Sequence, residues 1–351
     1  MQGMAADRLI LRNLTILSDR TVVEFNLDGV RLDDGRVVGW YDIERGQVSA
    51  DKQAEFDRFL KEIGEPLFRV RQRLRVGDYR DLEVHVEPLY PRFAGRRSPA
   101  AYTVVQATMW SRIAQGRREA AVEPYFRAYE YLRAQGTQEL DLPGSKRLEF
   151  NPRTGLTPAL VPLWFDAKAA REAMPLVAKA AGEMAQPRPA GAYVYFATLA
   201  LAAGDLATAD RILKGVPSDG GELGQLLEII AVQREQVAGS AGSAGSAAGR
   251  LAARWSQFPA ELQPLALYWL GQAHLRSEDT KVRQRGLLEL LRIPAWYGDS
   301  SPDLAAAALH TAMESLRKEG DSRGSIALRN ELLVRYGQTY FAKQAETPPS
   351  R

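Results

Sequence analysis

Histidine and cysteine, the side chains that most often bind metals or act as nucleophiles, are scarce in this chain. There are three histidines, His85, His274 and His310, and no cysteine. Each histidine falls in a predicted helical segment without a second ligand type at metal-binding spacing. The lack of cysteine excludes disulfides, thiolate zinc sites and a Cys nucleophile. We predict structural or surface roles for the histidines, and neither a metal nor another cofactor.

Phosphate-binding and nucleophile motifs are also missing. Neither GxxxxGK[ST] nor a strand-linked GxGxxG occurs, and the GxSxG string at Gly320–Gly324 follows a predicted helix rather than a strand, so it is not a nucleophile elbow. Carboxylates are abundant, but their spacing is that of ordinary helix-surface charge. We therefore predict that the chain is not an enzyme, and an enzyme of unrecognised type is only the third alternative.

The densest positive charge lies in the segment Arg69–Arg75, whose arginines could share helix faces because pairs of them are four residues apart. Two interpretations stay open: a solvated face beside an apolar stripe, or an anion-binding patch joined by Arg96–Arg97 and Arg117–Arg118. The net charge of only +3, from 46 basic and 43 acidic residues, argues against a dedicated nucleic-acid binder. The candidate anion-binding residues are Arg69, Arg71, Arg73 and Arg75.

Aromatic residues cluster at several points of the helical part, at spacings that suit either packing between helices or an exposed binding face. Filling the space between helices is the usual role of such residues. Some could instead line the surface where a helical array receives a peptide. The candidate partner-binding residues are Tyr125, Tyr129, Tyr195, Trp269 and Trp296.

Residues 1–48 are predicted to form a small β-domain. Leu9–Leu11 and Thr21–Phe25 are rich in strand formers, and Asp28–Gly29 and Asp34–Gly35 suit tight hairpin turns. Four or five short strands would make a meander or a partly closed barrel. The segment resembles small SH3-like or Sm-like barrels, and a core this small is expected to pack against the helical region that comes after it in the chain.

From residue 50 to residue 340 the pattern becomes helical, with Ser49 as a predicted cap. Short polar turns recur at a spacing of roughly 40 residues, which is typical of stacked helical hairpins. The predicted turns are at Gly77, Gly116, Asp166, Gly204, Glu278 and Gly320.

The hairpin pattern resembles the tetratricopeptide repeat. Tyr193–Leu213 carries the resemblance best, because a first helix ends in Gly-Asp and a second begins with Ala209 at a close crossing. Gln115–Tyr131 matches half of the motif, and Ser325–Tyr336 resembles a last second helix. The resemblance implies a mainly α fold, an α-solenoid of about six or seven hairpins. The repeats are longer than usual, and Tyr268–Ala273 is the one stretch close to the family's Trp-Leu-Gly-Tyr signature.

Three segments are predicted to depart from the array. Residues 136–162 are rich in proline and glycine and should form a long loop, with a short strand near Arg147–Phe150. Residues 238–249 repeat Ala-Gly-Ser and should be a flexible linker, either natural or engineered. Residues 341–351 are predicted to be a disordered tail.

Composition supports a folded, water-soluble protein, since 45% of residues are hydrophobic and 25% are charged. No apolar run is long enough to span a membrane. The first residues fit either an exported chain whose signal peptide has been removed or a cytoplasmic one. We predict a protein–protein interaction scaffold or adaptor, with a nucleic-acid or polyanion-binding repeat protein as the alternative.

Overall fold

The computed structural model describes residues 7–135, 144, 147–216, 221–239 and 246–346. These residues are mainly helical, with strands near the N-terminus, as the sequence predicts. They belong to two compact units. The first comprises Met1–Glu149 with Pro175–Arg188, and the second Phe150–Met174 with Pro189–Arg351.

The N-terminal strands form two antiparallel sheets of three strands each. One has the order β2-β1-β6 and the other β3-β4-β5. The predicted Asp-Gly turns are confirmed, and Gly29 and Gly35 both have positive φ. A single meander is wrong, because β6 returns to pair with β1 rather than with its chain neighbour. The strands are β1 (Arg8–Leu11), β2 (Ile16–Leu17), β3 (Val22–Asn26), β4 (Gly29–Leu32), β5 (Val37–Val38) and β6 (Ile43–Gln47).

An aromatic cluster joins the two sheets to the first helix, α1 (Ala50–Phe59). Trp40 and Phe56 are buried, and their ring centroids lie 5.3 Å apart. Phe25 meets both rings edge-on, and the Trp40 indole donates a hydrogen bond of 2.6 Å to the carbonyl of Asn26. The strands thus complete their core with a helical residue, as expected for so small a β-segment.

The first unit continues with helices around a long buried hairpin, α5 and α6, whose turn is at Gly116. A π-helical stretch, Leu60–Gly64, joins α1 to α2. Twelve consecutive residues of α5, Ala100–Ser111, are buried, so all faces of this part of the helix are covered. The further helices are α2 (Glu65–Val76), α3 (Glu83–Val86), α4 (Tyr90–Phe93), α5 (Pro99–Ala114), α6 (Arg118–Gln135) and α7 (Ala167–Glu183), which runs on from the second unit.

The second unit is built from consecutive helices, most of them paired as antiparallel hairpins. Asp205 caps the second helix of one hairpin by accepting a 2.9 Å hydrogen bond from the backbone N–H of Thr208. Asp321 does the same for Gly324 in another. The helices are α8 (Ala190–Ala202), α9 (Leu206–Leu213), α10 (Glu222–Val237), α11 (Ala247–Arg254), α12 (Gln263–Leu275), α13 (Thr280–Trp296), α14 (Pro302–Lys318), α15 (Ser322–Tyr336) and α16 (Tyr340–Glu346).

Helices of successive hairpins in this unit also contact one another. Helix α8 packs against α10, α10 against α12, α12 against α14, and α14 against α16. One continuous hydrophobic core runs through these contacts, from Val194 in α8 to Ala342 in α16. The even-numbered helices from α8 to α16 therefore form a series in which each helix contacts the next.

Five of the six predicted turn positions are confirmed, and one is wrong. The glycines at four of them have positive φ, which only glycine adopts without strain, and Asp279 caps the helix after the fifth. The predicted hairpin turn at Asp166 is wrong. No helix directly precedes Asp166, because a proline-rich loop leads into α7. The four positive-φ positions are Gly77, Gly116, Gly204 and Gly320.

Parts of the three predicted irregular segments are ordered. Residues 147–150 are not a strand, and the regular element in the described part of this segment is a short 3₁₀ turn, Pro158–Leu160. The predicted linker ends early, because Ser246 caps α11 and the small side chains of Ala247 and Ala248 are buried. The predicted tail is helical through Glu346, with Ala342 buried against the core. Residues 136–143, 145–146, 240–245 and 347–351 lie outside the described residues.

Candidate interaction surfaces

Three of the five aromatic residues proposed as partner-binding are interior residues. Tyr125 and Tyr129 are 1% and 5% exposed, with ring centroids 6.2 Å apart in α6. Burial raises the pKa of Tyr129. Tyr195 in α8 is fully buried. As binding residues these three predictions are wrong, because residues packed inside the protein cannot meet a partner.

Tyr195 has an identifiable structural role instead. Its hydroxyl donates a 2.8 Å hydrogen bond to the carbonyl of Leu160 and accepts one of 3.1 Å from the backbone N–H of Thr157. The ring of Trp164 lies beside it, and the Trp164 indole donates to the hydroxyl of Thr198 at 2.9 Å. The aromatic pair therefore holds the proline-containing loop before α7 against α8.

The two tryptophans differ in exposure. Trp269 is half-buried, and its carbonyl accepts a 2.9 Å hydrogen bond from the side chain of Gln236. Trp296 at the end of α13 is 60% exposed, with the guanidinium of Arg292 placed 5.4 Å from its ring centroid. Of the five candidates, Trp296 is the one that presents a large aromatic surface to solvent.

Further apolar side chains are exposed on α13 and α15, which are the second helices of their hairpins. Leu288 lies two turns before Trp296 and is 60% exposed. Ile326 and Val334 have the same spacing on α15, at 59% and 84% exposure. The sequence analysis missed these three, because helical periodicity does not tell which apolar residues are left uncovered in the folded protein.

The arginine patch on α2 is divided by local partners. Arg73 forms an ion pair with Asp78 and lies 3.2 Å from a carboxylate oxygen of Asp81. The guanidinium of Arg71 lies 4.0 Å from the ring centroid of Tyr41, whereas Arg69 and Arg75 are exposed. A continuous patch of four free cations is therefore not present.

Three of the four arginines that were expected to extend this patch are also engaged within the chain. Arg96 makes an ion pair with Asp28, which lowers the pKa of that carboxyl group against the opposing effect of burial. Arg117 lies 2.8 Å from Glu83, and Arg118 is buried. Arg96, Arg117 and Arg118 are thus held by contacts within the chain, whereas Arg97 is exposed.

The three histidines lie in separate environments. His274 in α12 contacts the buried carboxylate of Glu289 in α13, with Nδ1 2.6 Å from Oε2, and Arg285 lies 3.1 Å from the other oxygen. His310 lies 4.8 Å from the ring of Phe341, and burial lowers its pKa. Among the residues with described positions, no cluster of three acidic or histidine side chains could hold a metal ion.

A buried ionic network in the first unit escaped the sequence analysis. Arg112 of α5 donates two 2.9 Å hydrogen bonds to Glu87, and its guanidinium lies 4.9 Å from the ring centroid of Tyr90. The Tyr90 hydroxyl donates to Glu123, which also accepts from Arg127. Burial raises the pKa of Tyr90, and the Glu123 carboxylate raises it further. Each charge of this network therefore has an oppositely charged partner within hydrogen-bond distance.

Within the described part of the chain, no helix combines the length and the apolar character needed to cross a membrane. No protein-family model matches the chain, and no curated protein or solved structure is significantly similar to it. The resemblances to tetratricopeptide repeats and to small SH3-like or Sm-like barrels therefore remain predictions that rest on the residues themselves.

Proposed function

We propose that the chain is a protein–protein interaction scaffold without catalytic activity, in which the helical hairpins of the second unit stack as a short tetratricopeptide-like solenoid. The observation that carries this proposal is the series of contacts from α8 through α10, α12 and α14 to α16. Stacking of this kind leaves the second helix of each hairpin at the surface, where a partner can contact it.

The surface proposed to bind is the apolar face of α13 that contains Leu288 and Trp296. Both side chains are 60% exposed, and covering them with a partner would remove their apolar surface from water. Arg292, between them, holds its guanidinium over the indole and adds a polar contact point. The polyanion-binding alternative is less well supported, because Arg71 and Arg73 are engaged within the chain.

The proposal is tested by affinity purification from the native host with the full chain as bait, read by mass spectrometry. We expect specific proteins to be retained by the parent chain and by a Gln284→Ser control, whose residue is exposed on the same helix. The double variant Leu288→Ser/Trp296→Ser should lose them while keeping its melting temperature. Equal retention by all three chains, or no retained protein, would contradict a binding role for α13.

A further inference from the structure

The outward face of the sheet β2-β1-β6 combines arginines with aliphatic side chains. Leu9 pairs with Gly46, and both point inward, where a Cβ atom on Gly46 would lie 2.6 Å from the ring of Phe56. Because side chains alternate along a strand, their neighbours point outward. Those neighbours are Arg8, Ile10, Arg45 and Gln47, and with Gly46 they line a shallow depression of about 310 Å³.

The two arginines of this face differ from the other arginines of the β-segment. Arg20, Arg31 and Arg36 each have a carboxylate within 3.3 Å, and the guanidinium of Arg12 lies 3.9 Å from the ring centroid of Phe68. By contrast, the side chains of the outward-facing pair form no hydrogen bond or ion pair with any residue that the structure describes. The pair is Arg8 and Arg45.

The strand register makes these two like charges neighbours on one face of the sheet. Arg8 is opposite Gln47 and Arg45 is opposite Ile10, so the two guanidinium groups are diagonal neighbours on the same face. Like charges at such a distance repel, whereas alternating signs across strands stabilise a sheet. An anionic group placed between them would remove that repulsion and accept several charge-assisted hydrogen bonds.

An apolar row adjoins the two charges. Ile10 pairs directly with Ile16 of β2, which is 48% exposed. The β1–β2 turn carries Leu14, which is 79% exposed and has φ of +68°, a conformation that is strained for a branched side chain. A solvent-facing leucine held in this conformation extends the apolar surface at the turn.

We propose that this outward face binds an acidic segment of a partner protein, in which carboxylates contact Arg8 and Arg45 and an aliphatic side chain covers Ile10 and Ile16. The site belongs to the first unit and the α13 surface to the second, and the proposal goes beyond the scaffold function proposed above. Charge complementarity selects the occupant, because carboxylates match the bidentate geometry of guanidinium groups.

A protein segment suits this face better than nucleic acid does. Polynucleotide affinity comes from many phosphate contacts and from bases stacked on aromatic rings. This face offers two cations and aliphatic side chains, with no aromatic ring among the residues lining the depression. Aliphatic contacts beside paired charges are instead typical of protein interfaces.

The test is fluorescence anisotropy of the full chain with two labelled eight-residue probes, (Glu-Val)₄ and (Gln-Val)₄. We expect the acidic probe to bind at least about tenfold more tightly than the neutral one, and the variant Arg8→Gln/Arg45→Gln to remove that difference. The control is Arg31→Gln/Arg36→Gln, which removes two ion-paired arginines from the same region and should leave binding unchanged. Arg8→Lys/Arg45→Lys, which keeps the charges but not the forked donors, should give intermediate binding.

Several outcomes would overturn the proposal. They are equal binding of both probes, no binding of either, equal loss in the control variant, or tighter binding of a dT₂₀ oligonucleotide than of the acidic probe. Thermal melting followed by circular dichroism accompanies each variant. The charge-removing pair should melt no lower than the parent chain, because it relieves repulsion between exposed groups.

Discussion

A Cβ atom on Gly286 of α13 would lie 2.9 Å from the carbonyl oxygen of Gly271 in α12. The reverse relationship also holds, since a Cβ atom on Gly271 would lie 3.0 Å from the carbonyl of Gly286 and 2.7 Å from Leu290. The two glycines therefore allow the backbones of this hairpin to cross in contact. No side chain larger than hydrogen fits without moving one helix.

The first prediction is that Gly286→Ala destabilises the second unit. The added methyl group must displace backbone atoms, and overpacking of this kind costs about 1–3 kcal/mol. The control is Gly224→Ala in α10, where a Cβ atom would meet no atom within 4 Å. That change should be neutral or stabilise by up to about 1 kcal/mol, because alanine favours helix. Urea unfolding measures both, and equal free energies of unfolding would contradict the close crossing.

The second prediction concerns the hairpin of α8 and α9. Ala209 is fully buried, and the neighbouring Ala207 is exposed. Ala209→Leu should lower the free energy of unfolding by about 1–3 kcal/mol, because four-carbon side chains do not fit the space of a methyl group. Ala207→Leu makes the same chemical change at the surface and should alter stability by less than about 0.5 kcal/mol. A comparable loss of stability in both variants would mean that the burial of Ala209 is not the cause of the destabilisation.

The third prediction concerns the contact of His274 with Glu289. Replacing Glu289 by alanine leaves the histidine and Arg285 without their shared acceptor, and we expect a loss of about 1–3 kcal/mol. Glu314→Ala is the control, since it removes a more exposed carboxylate that pairs with Arg317 on one helix, a contact worth about 0–1 kcal/mol. Denaturant unfolding monitored by tryptophan fluorescence measures the difference. Equal losses in the two variants would show that the buried carboxylate of Glu289 contributes no more to stability than the more exposed carboxylate of Glu314.

The fourth prediction is an acid-sensitive contribution from Glu87. Hydrogen bonds from Arg112 hold the pKa of this carboxyl group below its usual value of 4.5, against the opposing effect of burial. A folded-state pKa below the unfolded one means that the group stabilises the fold above about pH 4.5. This stabilisation is lost as the pH falls through the lower folded-state pKa.

The measurement is the free energy of unfolding between pH 7 and pH 3. Glu87→Gln should destabilise the chain at pH 7 by about 1–3 kcal/mol and should weaken the pH dependence below pH 4.5. Glu55→Gln serves as the control, because its pairing with Arg58 is exposed to solvent. A pH dependence that is identical in the parent and Glu87→Gln chains would show that this carboxyl group does not contribute to it.

Local features of this fold could be predicted from the sequence. The turns at Gly77, Gly116, Gly204 and Gly320 need positive φ, and glycine adopts it at little cost wherever it occurs. Asp205 and Asp321 cap the helices after them through bonds spanning three residues. Such interactions depend on a few neighbouring residues. The change from a strand pattern to a helical pattern near residue 50 is likewise visible in short stretches of sequence.

The candidate surfaces required the tertiary structure. Tyr195 and Trp296 are both aromatic residues in apolar helical contexts, yet one is fully buried and the other is 60% exposed. The difference depends on which distant segments cover each helix, and the loop at Leu160 covers the former. Helical periodicity identifies the residues of one face but not the partner of that face.

The tertiary structure also decided which residues far apart in the sequence become neighbours. The sequence placed Arg8 and Arg45 in the predicted β-domain, but only the pairing of β1 with β6 makes them neighbours on one face. It likewise determined the two helices that carry His274 and Glu289, whereas their crossing at two glycines brings the side chains together. Strand register and helix crossing depend on side-chain packing over long sequence separations, and no local pattern specifies them.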